Sequence, residues 1–334
     1  MTSLPPISVI LPVFNAANTL RSAVESILKQ TFHDFEFLII DDGSTDQSLE
    51  ILSRIKDARI KILRQKHAGI AIALNAGLAA AQGEFIARMD ADDLSLPERF
   101  ARQLALIESD SRIGVVGCRV EMFPANELTH GMKFYLNWLN SLLSHEEIVT
   151  NLFVETPLAH PTMFFRKAAL IDVGGYRAGD FPEDYDLLFR LHEKGWRFSK
   201  SPTVLYQLRD HPQRLSRTNS AYSEAAFRRL KAFYLFKNII TEETKFSIWG
   251  AGRDGKKMCA ELLKCNRRPG SFIDIDPKKI GGAVREIPVL SYQELSKNMG
   301  LVLVCVGTKG ARDEIRTHLR KADFVEGDDF ICVA

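Results

Sequence analysis

Between Ile7 and about Val120 the chain alternates short apolar runs with segments of helical period, and each apolar run ends in a polar loop. That alternation is the feature that most restricts the fold, because strands that regularly give way to helices pair mostly in parallel and are covered by those helices. The strands it predicts are ISVILPVF at 7–14, FEFLIID at 35–41, IKILRQ at 60–65 and EFIARMD at 84–90. Helix starts are legible between them. Ser44 with Gln47 fits a capping box, and Ser95 with Pro97 and Glu98 fits another, with proline at the first helical position. In an open α/β sheet, ligands bind beyond the carboxyl ends of the strands, so the loops Asp41–Asp46 and Asp90–Asp93 are expected on one edge.

A chain of 334 residues exceeds what one hydrophobic core usually serves, which points to a large domain followed by a smaller one. The expected division is 1–217, a helix and polar linker over 218–243, and 244–334. The stretch 121–212 is less regular: an aromatic-rich helix, a strand at PTMFF, a Gly-Gly turn and the helix EDYDLLFRLHEKG. After the linker, KFSIWGAGRDGKKMCAELL, FIDID and LVLVCVGTKGARDEIRTHL restart the strand, loop and helix theme as a second α/β unit.

Asp90-Ala91-Asp92-Asp93 closes the strand FIARM and brings several carboxylates to a sheet edge. Crowded like charges are unfavourable, so either solvent or a bound divalent ion has to relieve them. A DxD loop suits a hard cation that takes one or two carboxylates together with diphosphate oxygens, as Mg²⁺ or Mn²⁺ does. Such an ion would stabilise the charge that develops on a departing diphosphate. A solvated, capped turn is the plainer reading of the same residues.

ILPVFNAANTL, IIDDGSTDQSLEIL and HAGIAIALNAGLAAAQGEFIARMDADD, in this order and spacing, resemble the nucleotide-diphosphate-sugar domain of family 2 glycosyltransferases. The resemblance runs from about Ile7 to Ser216. It implies an α/β chain of the GT-A fold with a mostly parallel central sheet. It also implies a metal-assisted, inverting transfer of a sugar from a nucleotide-sugar donor, a UDP-sugar by preference, to a glycan or lipid-linked acceptor hydroxyl in surface polysaccharide biosynthesis. On this resemblance Pro12, Val13, Phe14 and Asn15 end the first strand where the family's backbone frames the nucleotide base. Asp41 matches the carboxylate that bonds uracil, with Asp42 beside it; a carboxylate only accepts, and uracil offers one imide N–H. His67, Gly69 and Asn75 match the segment along the ribose and diphosphate. Asp90, Ala91 and Asp92 match the DxD loop, with Asp92 the first choice as direct ligand of Mn²⁺ or Mg²⁺ and Asp90 beside it. In some relatives a histidine near position 211 meets the metal or diphosphate, which puts His211 among the donor and metal candidates; Arg209 or Arg214 could pair with phosphate.

Direct displacement requires an acceptor hydroxyl that loses its proton as it attacks, so a carboxylate must stand within reach of it. GGYRAGDFPEDYDLLFRL offers Glu183 and Asp184 at the start of an amphipathic helix, where the helix dipole also favours acids for purely structural reasons. The resemblance aligns the family's catalytic aspartate with Asp184 as general base and leaves Glu183 as the alternative, with Asp186 facing elsewhere. Gly174, Gly175 and Tyr176 match the turn beneath the acceptor pocket. His160 reads as a satisfied structural histidine.

Gly250-Ala251-Gly252-Arg253-Asp254-Gly255 is a full GxGxxG between an apolar strand and a helix, and Asp274 and Asp276 follow about 20 residues on. Gly250, Gly252, Gly255 and Asp274 are therefore candidates for a nucleotide loop, and 244–334 resembles the small Rossmann-like modules appended to some glycosyltransferases. An NAD(P)-linked oxidoreductase and a nucleotide-sugar-binding regulator without turnover are the alternatives that remain. Lys+Arg total 44 against 42 for Asp+Glu, which gives no electrostatic case for nucleic acid. MKFYLNWLNSLL and AFRRLKAFYLFKN mix aromatic and basic residues, the second with Arg228, Arg229, Lys231 and Lys237. Peripheral membrane contact stands there beside the plainer core reading. MTSLPPISVILPVF lacks a basic n-region, no apolar run reaches membrane-spanning length, and the cysteines read as buried thiols, which together predict a cytoplasmic protein.

Overall fold

The computed structural model describes residues 4–334. They fall into two compact units, one formed by residues up to 149 with 157–219, the other by 150–156 with 220–334. The first unit is built on an eight-stranded sheet in the order β3-β2-β1-β4-β7-β6-β8-β5. Its strands are β1 (Ile7–Val13), β2 (Phe35–Asp41), β3 (Ile60–Arg64), β4 (Phe85–Arg88), β5 (Leu94–Ser95), β6 (Ile113–Phe123), β7 (Phe164–Arg166) and β8 (Arg197–Arg209). β1 pairs in parallel with β2 and β4, β2 with β3, and β6 with β8, while β7 runs antiparallel between β4 and β6. The helices in chain order are α1 (Leu20–Leu28), α2 (Ser48–Arg54), α3 (Ile70–Ala80), α4 (Arg99–Glu108), α5 (His130–Ser141), α6 (His145–Thr150), α7 (Lys167–Asp172), α8 (Glu183–Glu193) and α9 (Leu215–Thr218).

The chemistry of the strands explains their places. β2 is buried along its whole length and β1 along all but one residue, as strands in the middle of a helix-covered sheet must be. β3 lies at the edge and exposes Lys61, Ile62 and Arg64, charges that discourage pairing with another chain. α1 buries Leu20, Ala23, Val24 and Ile27, the spacing of one helical face, against Val9, Leu11, Val13, Phe37 and Ile39 of the same core. Val13 stands opposite Asp41, and β4 ends at Arg88 opposite Ile10. The loops after β1, β2 and β4 therefore leave from one edge.

Neither expected capping box forms. α2 begins at Ser48, and the Ser44 hydroxyl instead accepts the Asn15 N–H at 3.1 Å. Asp46 takes over the local work, accepting the N–H groups of Ser48 and Ala17, each at 2.9 Å. Ser95 sits in β5 with its hydroxyl bonded by Gln30, and α4 starts only at Arg99, beyond Pro97. The PTMFF strand is shorter than expected: His160–Thr162 forms a 3-10 turn, and β7 begins at Phe164.

The second unit holds a six-stranded sheet in the order β11-β12-β10-β9-β13-β14. It comprises β9 (Phe246–Trp249), β10 (Ser271–Asp274), β11 (Ala283–Val284), β12 (Ile287–Ser291), β13 (Leu301–Val304) and β14 (Phe330–Cys332), with helices α10 (Glu224–Asn238), α11 (Arg253–Lys264) and α12 (Ala311–Lys321). All pairings are parallel except β11 with β12. Two surface expectations change. On α5, Phe134 and Tyr135 are exposed and do not join the core. On α10, Lys231 is buried, its ammonium donating to the carbonyls of Val154 and Val333, so it adds nothing to a basic surface. Among the described residues no helix is long and apolar enough to cross a membrane.

Candidate active site

The loops after β1, β2 and β4 enclose a cavity of about 810 Å³. Of the residues expected on the donor side, Pro12, Val13, Phe14, Asn15, Asp42, His67, Gly69, Asp90, Ala91, Asp92 and His211 line it, joined by Arg209 and Arg214. Asp41 and Asn75 do not line it, nor do Glu183, Asp184, Gly174, Gly175 and Tyr176.

Each wall has a local cause. Asn15 takes the left-handed conformation, φ 50°, and its side-chain oxygen accepts the Thr45 N–H at 2.8 Å, which laces the loop after β1 to the loop after β2. Phe14, 46% exposed, stacks on the His67 ring with centroids 3.9 Å apart. Asp42 is buried and its carboxylate is fully engaged: it accepts from Gln65 at 2.6 Å and from the Ala68 and Gly69 N–H groups at 3.0 and 2.9 Å, with the His67 ring at 2.9 Å. That carboxylate shapes the segment leading into α3. Asp41 is 1% exposed, accepts the Ser44 N–H and faces Arg64 at 3.8 Å. Of the aspartate that ends β2 and the one that follows it, it is the second, Asp42, that reaches the cavity.

Asp90, Asp92 and Asp93 each bring a carboxylate oxygen within 4.8 Å of the others. Arg88 pairs with Asp90 at 2.5 Å, and His211 Nε2 meets Asp92 Oδ2 at 2.8 Å. The Arg209 side chain donates to the Asp92 carbonyl at 2.8 Å. Asp93, 1% exposed, accepts the Arg209 N–H through one oxygen, while its other oxygen is buried with no hydrogen-bond partner. Burial, with the charges of Asp90 and Asp92, pushes the Asp93 carboxyl well above the usual range. Burial also raises Asp90, aided by Asp92 and opposed by Arg88. An orphaned buried oxygen among three carboxylates is the environment that a divalent cation relieves. The residues present fit Mn²⁺ or Mg²⁺.

A second acidic group lies at the head of α8, where His160, Glu183 and Asp184 also bring ligand atoms within 4.8 Å of one another. His160 Nε2 meets the Tyr176 hydroxyl at 3.2 Å, and its Nδ1 lies 3.5 Å from Glu183. Burial, reinforced by the Glu183 charge, pushes Asp184 up to about 8. Burial and the charge of Arg88 hold His160 well below the usual imidazole range, so it is neutral. The Gly174-Gly175-Tyr176 turn uses positive φ at both glycines, 76° and 69°. Asn75 clamps it, donating to the Tyr176 carbonyl at 2.8 Å and accepting the Tyr176 N–H at 2.9 Å. Asp186 pairs with Arg190 at 2.7 Å, and Arg190 donates to the carbonyls of Val173 and Gly175.

Arg88 is the residue that pattern reading missed. It is 2% exposed, and its charge acts on Asp90, Asp184, His160 and Tyr176 alike. The two acidic groups are therefore neighbours around one buried cation. A charged residue inside the apolar run FIARM was the available signal, since an arginine is almost never fully buried unless paired.

Comparison with known proteins gives the family of the chain. The model of the family described as glycosyl transferase family 2 matches residues 8–174. The O-antigen biosynthesis glycosyltransferase WbnJ of Escherichia coli is 31% identical over 247 residues, covering 71% of this chain and 92% of its own. Among solved structures, S. aureus TarS 1-349 in complex with UDP-GlcNAc superposes with a TM-score of 0.56 at 20% identity, over 77% of this chain and 71% of that one. The mannosyltransferase PcManGT of Pyrobaculum calidifontis, in complex with GDP-Man and Mn²⁺, gives a TM-score of 0.50 at 19% identity, over 80% and 67%. The strand order, the cavity at the sheet edge and these matches lead to one conclusion: the chain belongs to glycosyl transferase family 2 and is a glycosyltransferase of the GT-A fold.

Proposed function

We propose that the chain transfers a sugar, with inversion, from a UDP-sugar to a hydroxyl of a glycan or lipid-linked acceptor in the assembly of a surface polysaccharide. The observation that carries this reading is the pairing of two acidic groups around Arg88, one on the cavity and one at the head of α8. Asp92, with Asp90, Asp93 and His211 around it, would hold Mn²⁺ or Mg²⁺. When bound, such an ion supplies positive charge to the departing diphosphate. The face of Phe14 on His67 suits a nucleobase, and Gly69 at the start of α3, with Arg209 and Arg214, suits phosphate oxygens.

Asp184 takes the proton from the attacking hydroxyl at a carboxylate oxygen, and a single displacement then inverts the anomeric carbon. Glu183 is the alternative base and otherwise keeps Asp184 basic through its charge. The O-antigen role of WbnJ and the bound UDP-GlcNAc of TarS support the choice of pathway class and donor.

The test is a panel of nucleotide-sugars with Mn²⁺, scored by nucleotide release, with water taking the acceptor's place where none is supplied. The wild-type chain is expected to release UDP, and Asp184→Asn to lose about 10²-fold or more of that rate. An unchanged rate in Asp184→Asn would remove that residue from the mechanism.

A further inference from the structure

The second unit carries a cavity of about 710 Å³ lined by none of the residues proposed for sugar transfer. Its position follows from topology. β9 lies between β10 and β13: the chain runs from β9 through β10 to β12 on one side, then returns to β13 and β14 on the other. Where strand order reverses, the loops part and leave a crevice at the carboxyl ends of the strands. The cavity sits there, lined by Gly250 after β9, Ile275 and Asp276 after β10, and Gly307 and Thr308 after β13.

Its chemistry is selective. α11 and α12 both begin at this cavity, with Gly252 and Gly310 as their N-caps, and neither has a side-chain cap. Two helix N-termini present backbone N–H groups and the positive ends of their dipoles to the same space. A Cβ at Gly255 would stand 1.9 Å from the Gly250 carbonyl oxygen, so glycine lets helix and strand approach closely there. Around Gly252, by contrast, nothing lies within 4 Å of a Cβ, which leaves that backbone open for an anion to approach. Asp274, a candidate for the nucleotide loop, is otherwise employed: it is buried, accepts the Ala251 and Asp276 N–H groups at 2.8 and 2.9 Å, and meets Lys279 at 3.2 Å. It fixes the glycine loop, while Asp276, 38% exposed and 3.6 Å from Lys279, is a carboxylate on the lining that a diol can reach. Ile275 is 66% exposed on the same lining, an apolar face of the kind a planar base covers.

We propose that this cavity is a second nucleotide site, which takes the nucleoside diphosphate portion common to dinucleotides and nucleotide-sugars. The diphosphate lies at the starts of α11 and α12, the ribose diol at Asp276 and the base over Ile275. The site stands independently of the transfer reading. It is tested on the full chain by calorimetric titration with NADH, ADP and UDP, in wild type and in Asp92→Ala, which leaves this cavity intact. At least one probe is expected to bind both chains and to weaken about tenfold or more in Gly252→Asp, which sets a carboxylate where the phosphate would lie. Preference for NADH or for UDP then separates a dinucleotide from a nucleotide-sugar. Should Gly252→Asp fail to fold, Ile275→Glu replaces it with the same loss expected. Binding of every probe unchanged in the folded variant, or no binding at millimolar concentration, would overturn the proposal.

Discussion

Arg88 is a guanidinium held where water does not reach, and it is stable there because Asp90 pairs with it at 2.5 Å. Its charge also draws Asp184 downward, against the burial and the Glu183 charge that push that carboxyl up to about 8. The sign of the consequence is fixed. Asp184 is protonated below about 8, so if it is the base proposed above, kcat/KM is expected to climb along an acid limb with an apparent pKa near 8. Over the window from the ordinary carboxylate range to that value, the folded chain keeps a proton that the unfolded chain releases, so this group lowers stability as pH rises. Arg88→Met is expected to shift the limb to higher pH, and Glu183→Gln to lower pH. A lost packing contact would lower the rate without moving the limb. pH profiles of kcat/KM for the three chains separate these outcomes.

α3 and α8 together hold the turn beneath the second acidic group. Asn75 of α3 grips both backbone groups of Tyr176, and Arg190 of α8 grips the carbonyls of Val173 and Gly175. Asn75→Ala strands two backbone groups at once and is expected to cost about 1–3 kcal/mol, read as a lower urea midpoint with an unchanged slope. A midpoint equal to wild type would show that the clamp contributes nothing. Helices and strands of this kind were legible in advance where their periodicity is local: β1, β2, α8 and, in the second unit, β9, β10 and β13 fall where the apolar pattern puts them, while the short β11, β12 and β14 left no such pattern. Side-chain partners were not legible. Ser44 is taken by Asn15, 29 positions away, so it cannot cap α2, and Asn75 meets a residue 101 positions on, outside the cavity its motif suggested. Local pattern carries no information about such partners.

At the scale of the whole molecule, two α/β units each offer a cavity at the carboxyl ends of parallel strands, and each is preceded in sequence by a glycine- or acid-rich loop. Those loops were visible in the sequence because backbone approach and charge clustering demand particular residue types. The assignment of 150–156 to the second unit was not, since seven residues without periodicity leave no pattern to read. The donor role proposed for Asp92 and the base role proposed for Asp184 make separable demands. Chelation with EDTA should abolish the donor role alone, and so should removal of Asp92. The most direct measurement is the manganese-dependent component of UDP binding, taken as the difference between calorimetric titrations with Mn²⁺ and with EDTA, in wild type, Asp92→Ala and Asp184→Asn. That component is expected to be present in wild type, nearly intact in Asp184→Asn and at least about tenfold weaker in Asp92→Ala. Its absence from wild type, or its survival undiminished in Asp92→Ala, would contradict a donor held through a cation at Asp92.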